Sequence, residues 1–239
     1  MKAMLLNSGI GKRLRPFTNE NPKCLAKLNG KTILGHEIEN LLHYKIKDII
    51  ITVGPFEEKI KQFMKDNFPQ LEVTYVKNPK YESTNYIYSI WQTRNLIDDD
   101  ILWMHGDMVF EKELLGRLLT SKYNTCALVN NKIELPKKDF KGRIQNNLIK
   151  EIGVNVFGKD AFFLAPVYKF SKDDFIMFLK EIELFVKKVN ISVYAENAFN
   201  NISNKIKLYP VYYGDEFCME IDNFEDLEIA RKFFKNNKI

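Results

Sequence analysis

The chain has 239 residues, 45% of them hydrophobic. That is enough to bury a full core and too apolar for a disordered segment. Its formal charge is +5, and the whole excess sits between residues 8 and 31, where Lys12, Arg13, Arg15, Lys23, Lys27 and Lys31 outnumber the single acid Glu20. A basic cluster in a neutral background suits a small anionic ligand and argues against a surface that coats nucleic acid.

Cys24, Cys126 and Cys218 show no CxxC pairing and no metal-ligand cluster, which reads as a reduced, cytoplasmic protein. The opening apolar run is too short for a signal peptide. No stretch approaches the roughly 18 apolar residues of a membrane span, so no membrane partner is expected.

Residues 3–6 read as a buried strand. They break into Asn7, Ser8, Gly9, Ile10, Gly11, Lys12 and Arg13, two glycines followed at once by cations. Glycines let backbone N–H groups approach an anion closely, and the cations suit a polyphosphate. A solvated basic turn is the plain alternative, because neither standard phosphate fingerprint is present. Asn21-Pro22 turns the chain and sets Lys23 at the far rim of the loop. Residues 25–28 are strand-like and close on Asn29-Gly30. Apolar residues at helical spacing predict a helix over 33–45.

The run 48–53 predicts a fully buried strand, 57–67 a helix and 71–76 the next strand. This alternation argues for a parallel sheet with helices on both faces and for ligands beyond the carboxyl ends of its strands. Ser83-Thr84-Asn85 precedes a helix in which Asn85 and Ser89 share a face. They read either as ligand contacts or as a cap and a core residue. The strand 101–104 runs into His105-Gly106-Asp107. A carboxylate at a central strand tip needs solvent, a partner or a metal.

A helix over 111–119 and a strand over 126–129 follow. From 130 to 170 the pattern changes to short runs that predict antiparallel strands and loops. The aromatic-rich stretch 155–175 reads either as a homodimer interface or as a pocket wall. Ser171 caps a helix to about 186, a short helix covers 195–202, and 208–213 is a strand. Residues 217–222 alternate apolar and acidic, which puts Glu220 and Asp222 on one strand face. That pair makes a hard-metal site, since Mg²⁺ takes one or two carboxylates plus substrate phosphates. Asn223 caps a closing helix.

Taken together, Leu6 to Thr18 and then Asn21-Pro22-Lys23-Cys24-Leu25 resemble the signature L-A-A-G-x-G-x-R-L-x-P-x-T…P-K-x-L of the nucleotidyltransferases that activate sugar phosphates and phosphocholine. Asn78 to Ser89, His105-Gly106-Asp107 and Glu220 to Leu227 are similar to later segments of the same family. The usual Ala-Ala-Gly stands here as Asn7-Ser8-Gly9. That departure is similar to capsule-pathway cytidylyltransferases, which activate phosphoglutamine or phosphocholine.

The resemblance implies a Rossmann-like, mostly parallel α/β sheet with helices on both faces and a small antiparallel acceptor-side lobe. It implies one domain over 1–239, with a nucleotide-binding half (1–130), an acceptor lobe (131–215), and a metal strand with closing helix (216–239). It further implies CTP and a small phosphorylated acceptor as partners and Mg²⁺ as cofactor. Arg13, Lys23 and Asp107 become catalytic. Asn7, Ser8, Gly9, Gly11, Lys12, Arg13, Asn85, Ser89 and Asp107 bind nucleotide. Asp107, Glu220 and Asp222 hold the metal. A sugar-1-phosphate enzyme using UTP, dTTP or GTP, and a catalytically silent nucleotide sensor, are the alternatives.

Overall fold

The computed structural model describes residues 1–237. Strand β1 (Lys2–Asn7) runs into the glycine loop, which carries three 3-10 turns, Lys12–Leu14, Phe17–Asn19 and Lys23–Leu25. A minimal hairpin of β2 (Lys27–Leu28) and β3 (Lys31–Thr32) turns through Asn29 and Gly30, both at positive φ. It leads into α1 (Ile33–His43), which Thr32 caps by accepting the Gly35 N–H at 2.9 Å. Next come β4 (Ile49–Val53), α2 (Glu57–Asn67), β5 (Val73–Lys77), α3 (Tyr86–Gln92), β6 (Ile101–His105), β7 (Met108–Phe110), α4 (Lys112–Thr120) and β8 (Cys126–Asn130).

The remaining chain supplies β9 (Lys141–Gln145), β10 (Leu148–Gly153), β11 (Ala161–Phe170), α5 (Lys172–Lys187), α6 (Glu196–Ile202), β12 (Tyr209–Tyr213), β13 (Cys218–Glu220) and α7 (Phe224–Asn237). The last two residues of the expected 216–239 segment lie outside the described residues.

Among the described residues nine strands form one sheet in the order β10-β9-β11-β6-β1-β4-β5, with β8 branching from β11 and β12 pairing on β8. Strands β6, β1, β4 and β5 are parallel neighbours, whereas β11 runs antiparallel to β6, β8 and β9. Alternation along β1 sends Ala3 and Leu5 to a core with Leu34, Ile60 and Leu114, and Met4 to the opposite core with Ile87, Trp103 and Phe178. Helices therefore cover both faces, as a parallel sheet requires. Across the antiparallel pair, Trp103 stacks on Tyr168 with ring centroids 4.1 Å apart. A third cluster joins Leu14 and Ile33 to Ile221, Leu227 and Phe234. It packs α7 against the glycine loop.

Several expectations shift. The strand expected at 71–76 begins at Val73, and residues 23–25 form a 3-10 turn, so only Lys27 and Leu28 of the expected 25–28 strand pair. Strand β7 has three residues, too few for a period to appear. The aromatic stretch 155–175 is largely core, with Phe163, Tyr168, Phe170 and Phe175 all buried. The strand expected over 217–222 stops at Glu220, because the Asp222 N–H is taken by the Asp226 carboxylate at 3.0 Å and not by a neighbouring strand. Among the described residues no helix is long and apolar enough to cross a membrane.

Candidate active site

The carboxyl ends of β1 and β6 open on a cleft of about 530 Å³. This is the place a doubly wound sheet reserves for a ligand. Asn7, Ser8, Gly9, Gly11, Lys12 and Arg13 line it from the loop side, with Lys23 beyond them. Asn85, Asp107, Glu220 and Asp222 line it from other elements. Gly11 has φ +69, and a Cβ there would press to 3.1 Å on Thr18 and 3.2 Å on Lys23, so the turn needs glycine twice over. The Thr18 hydroxyl donates to the Gly11 carbonyl at 2.8 Å and holds the loop closed.

Four charged side chains meet where the loop approaches the last strand. The Arg13 guanidinium forks onto Asp222 with bonds of 2.8 and 2.7 Å. Lys23 pairs with Asp107 and reaches Asp222 at 3.5 Å. Burial alone would raise the Asp107 pKa, but Lys23 and His105 hold it below the ordinary carboxylate value. Burial pulls Lys23 down while Asp107 pulls it up, and the carboxylates win. Both groups are therefore charged at neutral pH.

A second pairing lies beside the first. His105 Nδ1 sits 2.7 Å from Glu220 Oε1. Burial works against its charge, yet the Glu220 hydrogen bond and nearby carboxylates push its pKa up to about 9. The imidazole is then a cation that donates to Glu220. Burial in turn pushes Glu220 up, against the pull of His105. The Tyr86 ring lies 4.5 Å from His105 and donates its hydroxyl to Glu196, which also accepts from Tyr168 at 2.9 Å. Phe140 and Tyr194, 5.0 Å apart edge to face, complete an aromatic wall.

Metal chemistry is testable against these donors. Ligand atoms of His105, Asp107 and Glu220 lie within 4.8 Å of one another, and Asp107 Oδ1 is buried without a hydrogen-bond partner. An unpartnered carboxylate oxygen beside a second carboxylate fits a hard cation. Asp222 stands outside this cluster, with both oxygens held by Arg13 and Lys23.

Ser89 departs from its expected place. It is fully buried on the inner side of α3, where its hydroxyl lies 2.6 Å from the Ser8 hydroxyl and accepts from Asn78 at 3.0 Å. It does not line the cleft. Helical spacing put it on the Asn85 face, but that face turns inward after one turn. Asn85 does line the cleft while capping α3 through the Tyr86 N–H. Ser89 thus ties the glycine loop to the 78–85 segment, since Asn78 also donates to Thr84 at 3.0 Å.

Asn7 explains a neighbour. A Cβ on Gly106 would lie 2.1 Å from Asn7 Oδ1, and its three nearest atoms all belong to the Asn7 side chain. Gly106→Ala should therefore lower stability by about 2 kcal/mol, and adding Asn7→Ala should restore most of it in urea melts. A double variant no better than the single would mean that Gly106 serves another purpose.

Lys138, Phe140 and Tyr194 also line the cleft, from segments without periodicity, and nothing in their sequence context marks them. Glu37 is buried beneath the site, and burial holds its carboxyl well above the usual range.

This geometry has relatives. The chain is 24% identical to the CTP:phosphoglutamine cytidylyltransferase of Campylobacter jejuni, over 96% of this chain and 98% of that protein. It is 30% identical over 118 residues to the CMP-5'-(3-aminopropyl)phosphonate synthase of Streptomyces rubellomurinus, a match that spans 49% of this chain and 19% of that longer protein. Its fold superposes on the CTP:phosphocholine cytidylyltransferase of Streptococcus pneumoniae with a TM-score of 0.81 at 21% identity, covering 98% of both chains. A family model described as nucleotidyl transferase matches residues 2–129. That span holds β1, the glycine loop, Lys23, β6 and the turn that carries Asp107, and by it the chain belongs to the nucleotidyl transferase family.

Proposed function

We propose that this protein transfers CMP from CTP to a small phosphomonoester of the phosphoglutamine or phosphocholine type, giving a CDP-linked product and pyrophosphate. The observation that carries the reading is the chain of charges Arg13–Asp222–Lys23–Asp107 at the mouth of the glycine loop. Two cations there meet two carboxylates, the set that a reaction between two phosphates demands.

The acceptor phosphate is already an anion at neutral pH, so its oxygen attacks the α-phosphorus without a general base. The difficulty is electrostatic repulsion between two anions, and the remedy is positioning and neutralisation. Gly9 and Gly11 leave the loop N–H groups free to meet the triphosphate, with Lys12 beside them. Arg13 neutralises the departing pyrophosphate, and Lys23 bridges the α-phosphate and the incoming phosphate. Asp107 and Glu220 would hold Mg²⁺, which supplies charge neutralisation when bound, and Asp222 would join them once Arg13 and Lys23 release its oxygens to meet the phosphates. Asn7, Ser8 and Asn85 address the nucleoside, with Ser89 fixing Ser8 from behind. The wall of Tyr86, Phe140 and Tyr194 suits the uncharged faces or cationic head of the acceptor. A CDP-linked product of this kind would serve modification of a cell-surface or capsular polysaccharide.

Pyrophosphate release decides the matter. With CTP and Mg²⁺, phosphocholine, phosphoethanolamine, phosphoglutamine and sugar 1-phosphates are offered in turn, and UTP, dTTP and GTP replace CTP in parallel. Turnover is expected with CTP and one of the first three acceptors. Turnover confined to a sugar 1-phosphate with another nucleotide would replace this reading. Nucleotide binding without pyrophosphate release from any pair would make the protein a sensor.

A further inference from the structure

The segment 131–140, between β8 and β9, is fixed at its two ends, where Lys132 Nζ pairs with Asp215 at 3.0 Å and the buried Phe140 accepts the Leu164 N–H at 3.0 Å on its carbonyl. Asn130 Oδ1 accepts the N–H groups of Lys132 and Ile133 at 2.8 and 3.2 Å, and Lys141 Nζ donates to the Pro136 carbonyl at 2.7 Å. Between those ends, a further anchor lies at the cleft. Lys138 Nζ donates to both oxygens of Asp226, in the first turn of α7, at 3.0 and 2.9 Å. Lys138 itself lines the cleft.

Asp226 has a second task. Its Oδ2 accepts the Asp222 N–H at 3.0 Å and the Asn223 N–H at 3.2 Å, while Asn223 Oδ1 accepts the Asp226 N–H at 3.0 Å. This reciprocal cap fixes the backbone from which the Asp222 carboxylate meets Arg13 and Lys23. One side chain therefore grips the acid loop on one wall and the strap on the other. The cap is buried and the ion pair is not: the Asp226 side chain is 10% exposed and that of Lys138 49%. Exposed ion pairs are weak, so the Lys138 contact is the part that opens.

We propose that Asp226 is a positioning residue that aims Asp222 and, through Lys138, latches the 131–140 segment across the acceptor end of the cleft. The latch opens to admit acceptor and release product, and the cap stays closed throughout. The kinetic consequence rests on the cytidylyl-transfer reading, whereas the latch itself does not.

Three variants separate the two tasks. Lys138→Met removes the latch alone. Asp226→Asn keeps an oxygen for both N–H groups but loses the charge that holds Lys138. Asp226→Ala removes everything. With CTP and phosphocholine as probes, Lys138→Met and Asp226→Asn should each raise the KM for phosphocholine about ten-fold and move that for CTP less than about two-fold. Lys138→Arg should restore the lower value. Asp226→Ala should in addition lower kcat about a hundred-fold, because Asp222 loses its aim.

Hydrogen exchange supplies a readout independent of any substrate. Lys138→Met should speed exchange across residues 131–139 and leave 217–223 at the parent rate, and Asp226→Ala should speed both. Unchanged exchange over 131–139 in Lys138→Met overturns the latch. Equal kinetics for Asp226→Asn and Asp226→Ala overturn the separation of cap from latch. If the parent protein turns over none of the acceptors, the cytidylyl reading fails and the exchange result alone judges the latch.

Discussion

Replacing Asp107 by asparagine is expected to reduce pyrophosphate release about a thousand-fold or more, in keeping with the several kcal/mol that charge neutralisation at a phosphoryl centre supplies. The carboxylate stands at the turn between β6 and β7, where one oxygen meets Lys23 and the other has no partner. An amide fills the same space but brings no charge to a metal and leaves the Lys23 ammonium less compensated. Because Lys23 retains Asp222 at 3.5 Å, the fold should survive, with an unchanged circular dichroism spectrum. A D107N protein with parent activity would remove Asp107 from the metal and leave Glu220 and Asp222 to be examined without it.

Lys23→Met makes the opposite change at the same contact. Turnover should fall about a hundred- to a thousand-fold, as expected when a preorganised donor to developing charge is removed. Metal affinity should move the other way. In the free protein Lys23 neutralises Asp107 and shares Asp222 with Arg13. Deleting the ammonium takes from Asp107 its one salt-bridge partner among the described residues and leaves Asp222 to Arg13 alone. The two carboxylates then attract a divalent ion more strongly, so Mn²⁺ binding without nucleotide should tighten while catalysis collapses. Parallel loss of metal affinity and turnover would mean that Lys23 holds the site's shape and not its charge.

These two residues were legible because each belongs to a local pattern. Lys23 follows a glycine loop and a proline turn, and Asp107 stands two residues past the end of an uninterrupted buried strand, so strand, loop and charge announce each other over a few positions. The parallel half of the sheet was legible for the same reason, since its strands and helices alternate with clear periods. Ser89 was harder. Helical spacing gives a face but not the direction that face looks, and only the packing of α3 against Ser8 and Asn78 turns it inward. The paired acids illustrate another limit. Alternation put Glu220 and Asp222 on one strand face, yet the strand ends between them because Asp226, four residues on, captures the Asp222 N–H. Lys138, Phe140 and Tyr194 carry no local signal at all. The antiparallel strands and α6 bring them to the cleft, and their neighbours in sequence say nothing of that journey.

The bond between Arg13 and Asp222 joins positions 209 residues apart. It forms only because α7 returns to pack on the glycine loop through Leu14, Ile221 and Phe234. Every strand of the nine-stranded sheet is complete by Tyr213. A released chain cut after Tyr213 therefore carries every strand of that sheet while Arg13 lacks its carboxylate. Completing the sheet and completing the site are thus separate demands on the chain, so a correctly folded core is no guarantee of a finished site.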